Sequence, residues 1–129
     1  MSDDLLDPSD QSAGVASAVL RAGFGVDADG DDGDVVVRLE GELDMATTPA
    51  LSRALDTVMD ARPHALALDL SELTFVDSTG LRVLITSSRR AAGQGCSYVL
   101  RSPQRAVLKA LRLTGMDRLM AIEPGPLDP

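Results

Sequence analysis

The stretch Ala65-Leu-Ala-Leu-Asp-Leu70, followed by Ser71-Glu-Leu-Thr-Phe-Val76 and Asp77-Ser-Thr-Gly-Leu81, decides the fold. Its first six residues are almost wholly apolar and one strand long, as expected of a strand covered on both faces of a parallel sheet. That strand is expected to end at Leu70, and the turn after it to deliver a helix. Asp77 and Ser78 are both strong helix N-caps. From about Ser78 the spacing predicts a helix to Ala92, with Leu81, Leu84, Ile85, Ala91 and Ala92 inward and Gly93 as its stop.

The same alternation extends outward in both directions. Val35-Val-Val-Arg-Leu39 is β-branched and reads as a strand. Thr48 offers a capping hydroxyl and Pro49 a preset first helical position. Leu51, Ala54, Leu55, Val58 and Met59 then recur at helical spacing until Pro63 ends the segment. Downstream, Ser97–Arg101 reads as a strand and Ser102-Pro103 repeats the cap-plus-proline device. Val107, Leu108 and Leu111 mark a helix ending at Thr114-Gly115, and residues 119–122 a last short strand. Upstream, the turn-forming run 27–34 joins Phe24–Val26 to Val35–Leu39 as a hairpin.

The predicted order is β-β-α-β-α-β-α-β: a single α/β domain with a mixed sheet and helices packed on it. Residues 21–123 form this domain. Residues 1–20 are expected to be a flexible acidic leader, with a short helix over 15–20, and 124–129 a flexible tail.

Composition narrows the function. A chain of 129 residues holds one core, and with two Phe, one Tyr and no Trp that core is aliphatic. Single-strand nucleic-acid recognition by base stacking is disfavoured. Of the net −8, all is carried by residues 1–34, where nine Asp face Arg21 alone; residues 35–129 carry eleven acids and eleven bases. A neutral body predicts no basic stripe and no direct nucleic-acid binding. Cys96 is the only cysteine, which points to a reducing, cytoplasmic setting. No apolar run reaches the roughly 18 residues of a membrane span, and the acidic N-terminus lacks the basic region of a secretory signal.

Catalytic chemistry finds little to work with. His64 is the one histidine, set where a strand begins, and Cys96 stands alone at another strand start. Together they fall short of the four ligands of a closed metal site. No Gly-Lys-Ser/Thr phosphate loop and no GxGxxG is present. The run from Asp27 mimics a calcium loop, but its twelfth position is Arg38 within a strand rather than the required Glu. No enzyme activity, cofactor or metal is expected.

The informative segment remains Asp77-Ser78-Thr79-Gly80. One reading makes it only a good helix start, with Gly80 letting another backbone approach the first turn. The other follows from electrostatics. A phosphate on Ser78 would sit at a helix N-terminus, where free N–H groups and the dipole favour anions, so the fold tolerates it. Its bulk and charge would then be felt by whatever docks there. Gly41-Glu42-Leu-Asp44 ends the preceding strand, so in a parallel sheet Asp44 and Ser78 should be neighbours on one rim. Gly41 as a bulge and Asp44 as a turn cap is compatible with that placement.

Gly41-Glu-Leu-Asp44 and Asp77-Ser-Thr-Gly-Leu81, in this order and frame, resemble the STAS domain, named for sulfate transporters and anti-sigma factor antagonists. The likeness runs from about Phe24 to Ile122. It implies that Ser78 is phosphorylated by an anti-sigma factor that is also a serine kinase, and that the unphosphorylated form binds this kinase and frees the sigma factor. A serine phosphatase would restore binding. Glu42, Asp44, Asp77, Ser78, Thr79, Gly80 and Arg82 then form the partner-binding rim of a monomer or weak dimer. Arg82 stands where small residues are also common in the family. The leader is longer than a minimal antagonist needs, and a final helix seen in many members is expected to be short or missing. The alternative implied by the family is a STAS scaffold or an accessory subunit of a signalling or lipid-transport assembly.

Overall fold

Val35, Val36 and Val37, three β-branched residues in succession, open the strand on which the sheet is built. The computed structural model describes residues 16–21, 24–31 and 33–125. Along the chain these form β1 (Ala16–Arg21), β2 (Phe24–Asp31), β3 (Asp34–Leu43), α1 (Thr48–Asp60), β4 (Ala65–Val76), α2 (Ser78–Gly93), β5 (Ser97–Arg101), α3 (Arg105–Leu113), a 3₁₀ turn (Met116–Arg118) and β6 (Ala121–Glu123). The sheet has six strands in sequential order. The β1–β2 and β2–β3 pairs are antiparallel; β3 to β6 are parallel. The mixed α/β class is as expected.

Each parallel crossover steps one strand in the same direction, so the right-handed rule puts all three helices on one face. The row Val37–Leu68–Leu100–Ile122, paired across four strands, faces them. Val37, Leu68 and Leu100 are fully buried there with Leu51 and Met59 of α1, Leu84 of α2 and Leu111 of α3. Neighbouring residues point the other way and stay partly open: Val36 and Val99 are half-buried and Ala121 is exposed. Among the described residues, the apolar run 65–70 is therefore not sandwiched between two helical layers. Its outward positions are filled by Ala65 and Asp69, which are half-buried, and by Ala67, which is buried; all are small or polar residues on a face that no helix among the described residues covers. On that face Arg38, Asp69, Arg101 and Glu123 stand in register, alternating in sign across four strands. Arg101 and Glu123 meet at 2.8 Å.

Several expectations are corrected. Residues 16–21 form a strand and not a short helix; the free edge of β2 offers a ladder of unpaired backbone groups, which outweighs weak helix propensity. The rest of the expected leader and most of the tail (1–15, 126–129) lie outside the described residues. The Asp-rich run is mostly strand: β2 continues to Asp31, which pairs with Asp34, so only two residues connect the strands. Asp-Gly is the turn such a hairpin favours, and Gly33 has φ +92°. A Cβ on Gly33 would come within 2.9 Å of the His64 ring, so bare backbone is required twice over. β4 runs on to Val76, with register shifts against β3, where a turn after Leu70 was expected. The cap of α1 is Thr47, with Thr48 already helical. The cap of α3 is Gln104, because Ser102 adopts a left-handed φ of +56°. Ala92 is exposed, and Ser87 instead faces inward.

The neutral sum over residues 35–129 also hides a division. Between Ser78 and Ile122, Asp117 is the sole acid against eight Arg and Lys. α3 carries Arg105, Lys109 and Arg112 exposed at i, i+4 and i+7, so a short basic stripe exists where overall neutrality predicted none.

Candidate functional site: the rim at the start of helix α2

β3 and β4 pair in parallel through Leu43 and Val76, so the segments that follow them emerge side by side. The Asp77 N–H donates to the Leu43 carbonyl at 3.0 Å and ties the two exits together. Asp44 and the Asp77-Ser78 turn are neighbours on one rim, as the parallel-sheet argument required. On the first exit, Gly41 has φ +99° next to a shift in register, which identifies it as the bulge position. Asp44 caps the turn: its Oδ1 accepts from the N–H groups of Ala46 at 2.9 Å and Thr47 at 3.1 Å.

Thr47, not singled out in the sequence, is buried and central. Its hydroxyl donates to the Glu42 carbonyl at 2.8 Å and accepts from the Asp44 N–H at 2.9 Å. Thr-Thr-Pro hid this, because either threonine could cap the helix. Glu42 itself is exposed on the uncovered side of the sheet, in register with Phe75.

On the second exit, Asp77 is the helix cap, extended in backbone and accepting from the Gly80 N–H at 3.0 Å. The Thr79 hydroxyl donates to the same Oδ1 at 2.6 Å. That bond, above all, holds the Asp77 carboxyl below the ordinary carboxylate range, helped by backbone N–H groups of Gly80, Thr79 and Met45 against a partial desolvation. Thr79 is thus half-buried and committed to the cap. Ser78 differs. It is exposed, and its hydroxyl makes no hydrogen bond among the described residues.

Gly80 is buried for a reason the sequence did not show. A Cβ there would lie 2.8 Å from the side chains of both Leu43 and Val76. Side chains, and not the expected backbone, press on the first turn. The reason is packing: the two core strands end in branched residues directly beneath the helix start. Arg82 is exposed one turn along α2 from Ser78. Two large apolar residues also frame the rim and were missed: Met45 is 72% and Phe75 47% exposed. Met45 was legible as an apolar residue stranded between a turn cap and a helix cap, where no core face exists.

The remaining candidates sit elsewhere. His64 is exposed at the opposite end of β4, and its N–H and the following Ala65 N–H both donate to the Gly33 carbonyl. Cys96 is buried before β5, and burial pushes its thiol up. Among the described residues no group of His, Cys, Asp or Glu is arranged to hold a metal ion, and no helix is long and apolar enough to cross a membrane.

An anti-sigma-F factor antagonist of Mycobacterium tuberculosis is 31% identical over 87 residues, covering 67% of this chain and 70% of that protein. An anti-sigma-B factor antagonist of Bacillus subtilis is 26% identical over 97 residues, 75% of this chain and 88% of its own length. The crystal structure of an anti-sigma factor antagonist from Mycobacterium paratuberculosis superposes with a TM-score of 0.69 at 32% identity, covering 83% of this chain and 91% of that one. These relatives are regulatory binding proteins rather than enzymes. The family profile described as "Mlab, STAS domain" matches residues 26–122, from within β2 to within β6, and so takes in both rim segments. The chain belongs to the STAS domain family.

Proposed function

We propose that this chain is an anti-sigma factor antagonist: unphosphorylated, it binds an anti-sigma factor that is also a serine kinase, and phosphorylation of Ser78 ends that binding. The names of its relatives support the antagonist role. The single observation that carries the switch is the contrast on one turn of helix. Thr79 is half-buried and its hydroxyl is spent on Asp77, while the neighbouring Ser78 is exposed and its hydroxyl makes no hydrogen bond among the described residues.

The chemistry follows from that contrast. The kinase partner brings a nucleoside triphosphate. Ser78 Oγ bonds to the terminal phosphorus, the bridging P–O bond breaks, the nucleoside diphosphate leaves and the hydroxyl proton passes to a base of the partner. Hydrolysis by a serine phosphatase returns the hydroxyl and free phosphate. The helix survives because phosphate at its first residue meets the favourable end of the dipole. Glu42, Asp44 and Arg82 give the docking rim its charge, while Asp77, Thr79 and Gly80 hold the turn in shape. The setting of this cycle is the cytoplasm, and the docking form is a monomer or weak dimer.

The test is intact mass after incubation with the cognate kinase and ATP. One added phosphate on the wild type and none on Ser78→Ala is expected; phosphate retained by Ser78→Ala refutes the site. Ser78→Asp is expected to keep its circular dichroism spectrum and lose the partner in a pull-down. A scaffold or accessory subunit would instead stay in its assembly whatever the state of Ser78.

A further inference from the structure

We infer that Arg82 is the internal counter-ion of a phosphate on Ser78, so that modification withdraws a cation from the docking rim at the same moment as it adds an anion. The inference rests on the proposed phosphorylation of Ser78 and adds a residue that acts through it.

Both residues lie on α2, four apart, which brings their Cβ atoms within about 6 Å on one face. Side chains on a helix lean toward its N-terminus, so Arg82 reaches back over the turn that begins with Ser78. The acid-first, base-second order is the favourable one, because it agrees with the helix dipole. Both residues are exposed, so no burial has to be undone for them to meet.

Arg82 is the only charged residue between Ser78 and Ser88. Among the described residues it has no ion pair, whereas Arg90 on the same helix is held by Asp56 and Asp60, each at 2.9 Å. A guanidinium left unpaired beside an exposed hydroxyl has the planar donor geometry that a phosphate accepts in a bidentate fashion. Before modification Arg82 is available to a partner's acid; afterwards it is turned inward on its own helix. The rim, already acidic through Glu42, Asp44 and Asp77, thus loses its one accessible positive charge and becomes more negative still.

Other charges surround the site. Asp77 precedes Ser78, Asp44 and Glu42 lie on the neighbouring exit, and Asp56 on α1 is taken by Arg90. All of these persist when Arg82 is replaced, so a comparison of variants isolates Arg82. The experiment installs phosphoserine at position 78 of the full chain by genetic encoding, without any kinase, and follows the ³¹P shift against pH. Arg82→Gln is expected to raise the second ionisation of the phosphate by about 0.3 pH unit or more, Arg82→Lys to restore most of the difference, and about 1 M salt to erase it. Midpoints that agree within about 0.1 pH unit in all three proteins overturn the counter-ion role. Because the phosphate is placed synthetically, that result leaves the kinase question to the mass experiment on Ser78→Ala, and the two ideas fail separately.

Discussion

Replacing Gly80 with alanine sets two effects of opposite sign against each other. Gly80 is the third residue of α2, and a methyl there relieves the backbone entropy of glycine, worth about 0.5–1 kcal/mol in a helix. The same methyl would lie 2.8 Å from Leu43 Cγ, 2.8 Å from Val76 Cγ2 and 2.9 Å from Leu43 Cδ2. Leu43 is fully buried and Val76 is 8% exposed, so neither has open space to enter. Overpacking of this kind costs about 1–3 kcal/mol, and with branched, enclosed neighbours the upper half of that range applies. The net expectation is a loss of about 1–2 kcal/mol, a fall in Tm on the order of 10 °C for a domain of this size. Thermal and urea melts followed by circular dichroism read it directly. Gly93→Ala is the control: it sits on the same helix, its Cβ would meet nothing within 4 Å, and a gain of about 0.4–1 kcal/mol is expected. In a Leu43→Ala background the Gly80→Ala cost should shrink, since two of the three close atoms are gone. A Gly80→Ala protein as stable as the wild type refutes the packing argument and, with it, the claim that Gly80 sets the position of the Ser78 turn.

Asp77→Ala is expected to cost about 0.5–2 kcal/mol through loss of the cap. Because the folded carboxyl titrates below its unfolded value, the wild-type advantage is complete above about pH 3.9 and fades as pH falls through the lower folded value. Paired urea melts check the sign, and a gap that widens on acidification contradicts it. Tyr98→Phe removes a buried hydroxyl that donates to the Leu84 carbonyl at 3.0 Å and lies 2.7 Å from Ser87 Oγ, for a loss of about 1–2 kcal/mol in urea melts. As the only tyrosine, Tyr98 also reports its own ionisation: burial raises its phenol, so native absorbance near 295 nm should stay flat past about pH 10, and stability should decline as pH rises beyond that point. Arg90→Ala breaks two surface ion pairs with Asp56 and Asp60, yet less than about 1 kcal/mol should be lost, and salt should remove the difference.

The alternation of strands and helices was legible because it is written in local chemistry. The helical spacing of Leu51, Leu55, Val58 and Met59 and the caps at Asp77 and Gly93 act over one or two turns, and they fell within a residue or two of the structure. What was misread depends on pairing with distant chain. The run 16–21 becomes a strand only because β2 has a free edge, and 27–31 extends only because β3 lies beside it. In the same way β4 continues past Leu70 because β3 continues opposite, with Glu42 against Phe75 and Leu43 against Val76. At the rim, residue types gave the turn and the exposed serine. The roles of Thr47 as latch and of Gly80 as a seat for Leu43 and Val76 are tertiary facts, invisible in residue order. The basic stripe of α3 was lost by summing charge over the whole body instead of along one helix.

The signed row Arg38, Asp69, Arg101 and Glu123 bears on how the chain finds its alignment during folding. Sliding a strand by one residue turns greasy groups outward and is rejected at once. Sliding it by two keeps every side chain on its proper side, and hydrophobicity alone barely objects. After such a slip of β5 against β4, Asp69 would stand opposite Val99 or Pro103 in place of Arg101, and that pairing of opposite charges would be lost. The polar side of the sheet therefore works as a second key, selecting among alignments that the oily side accepts equally well.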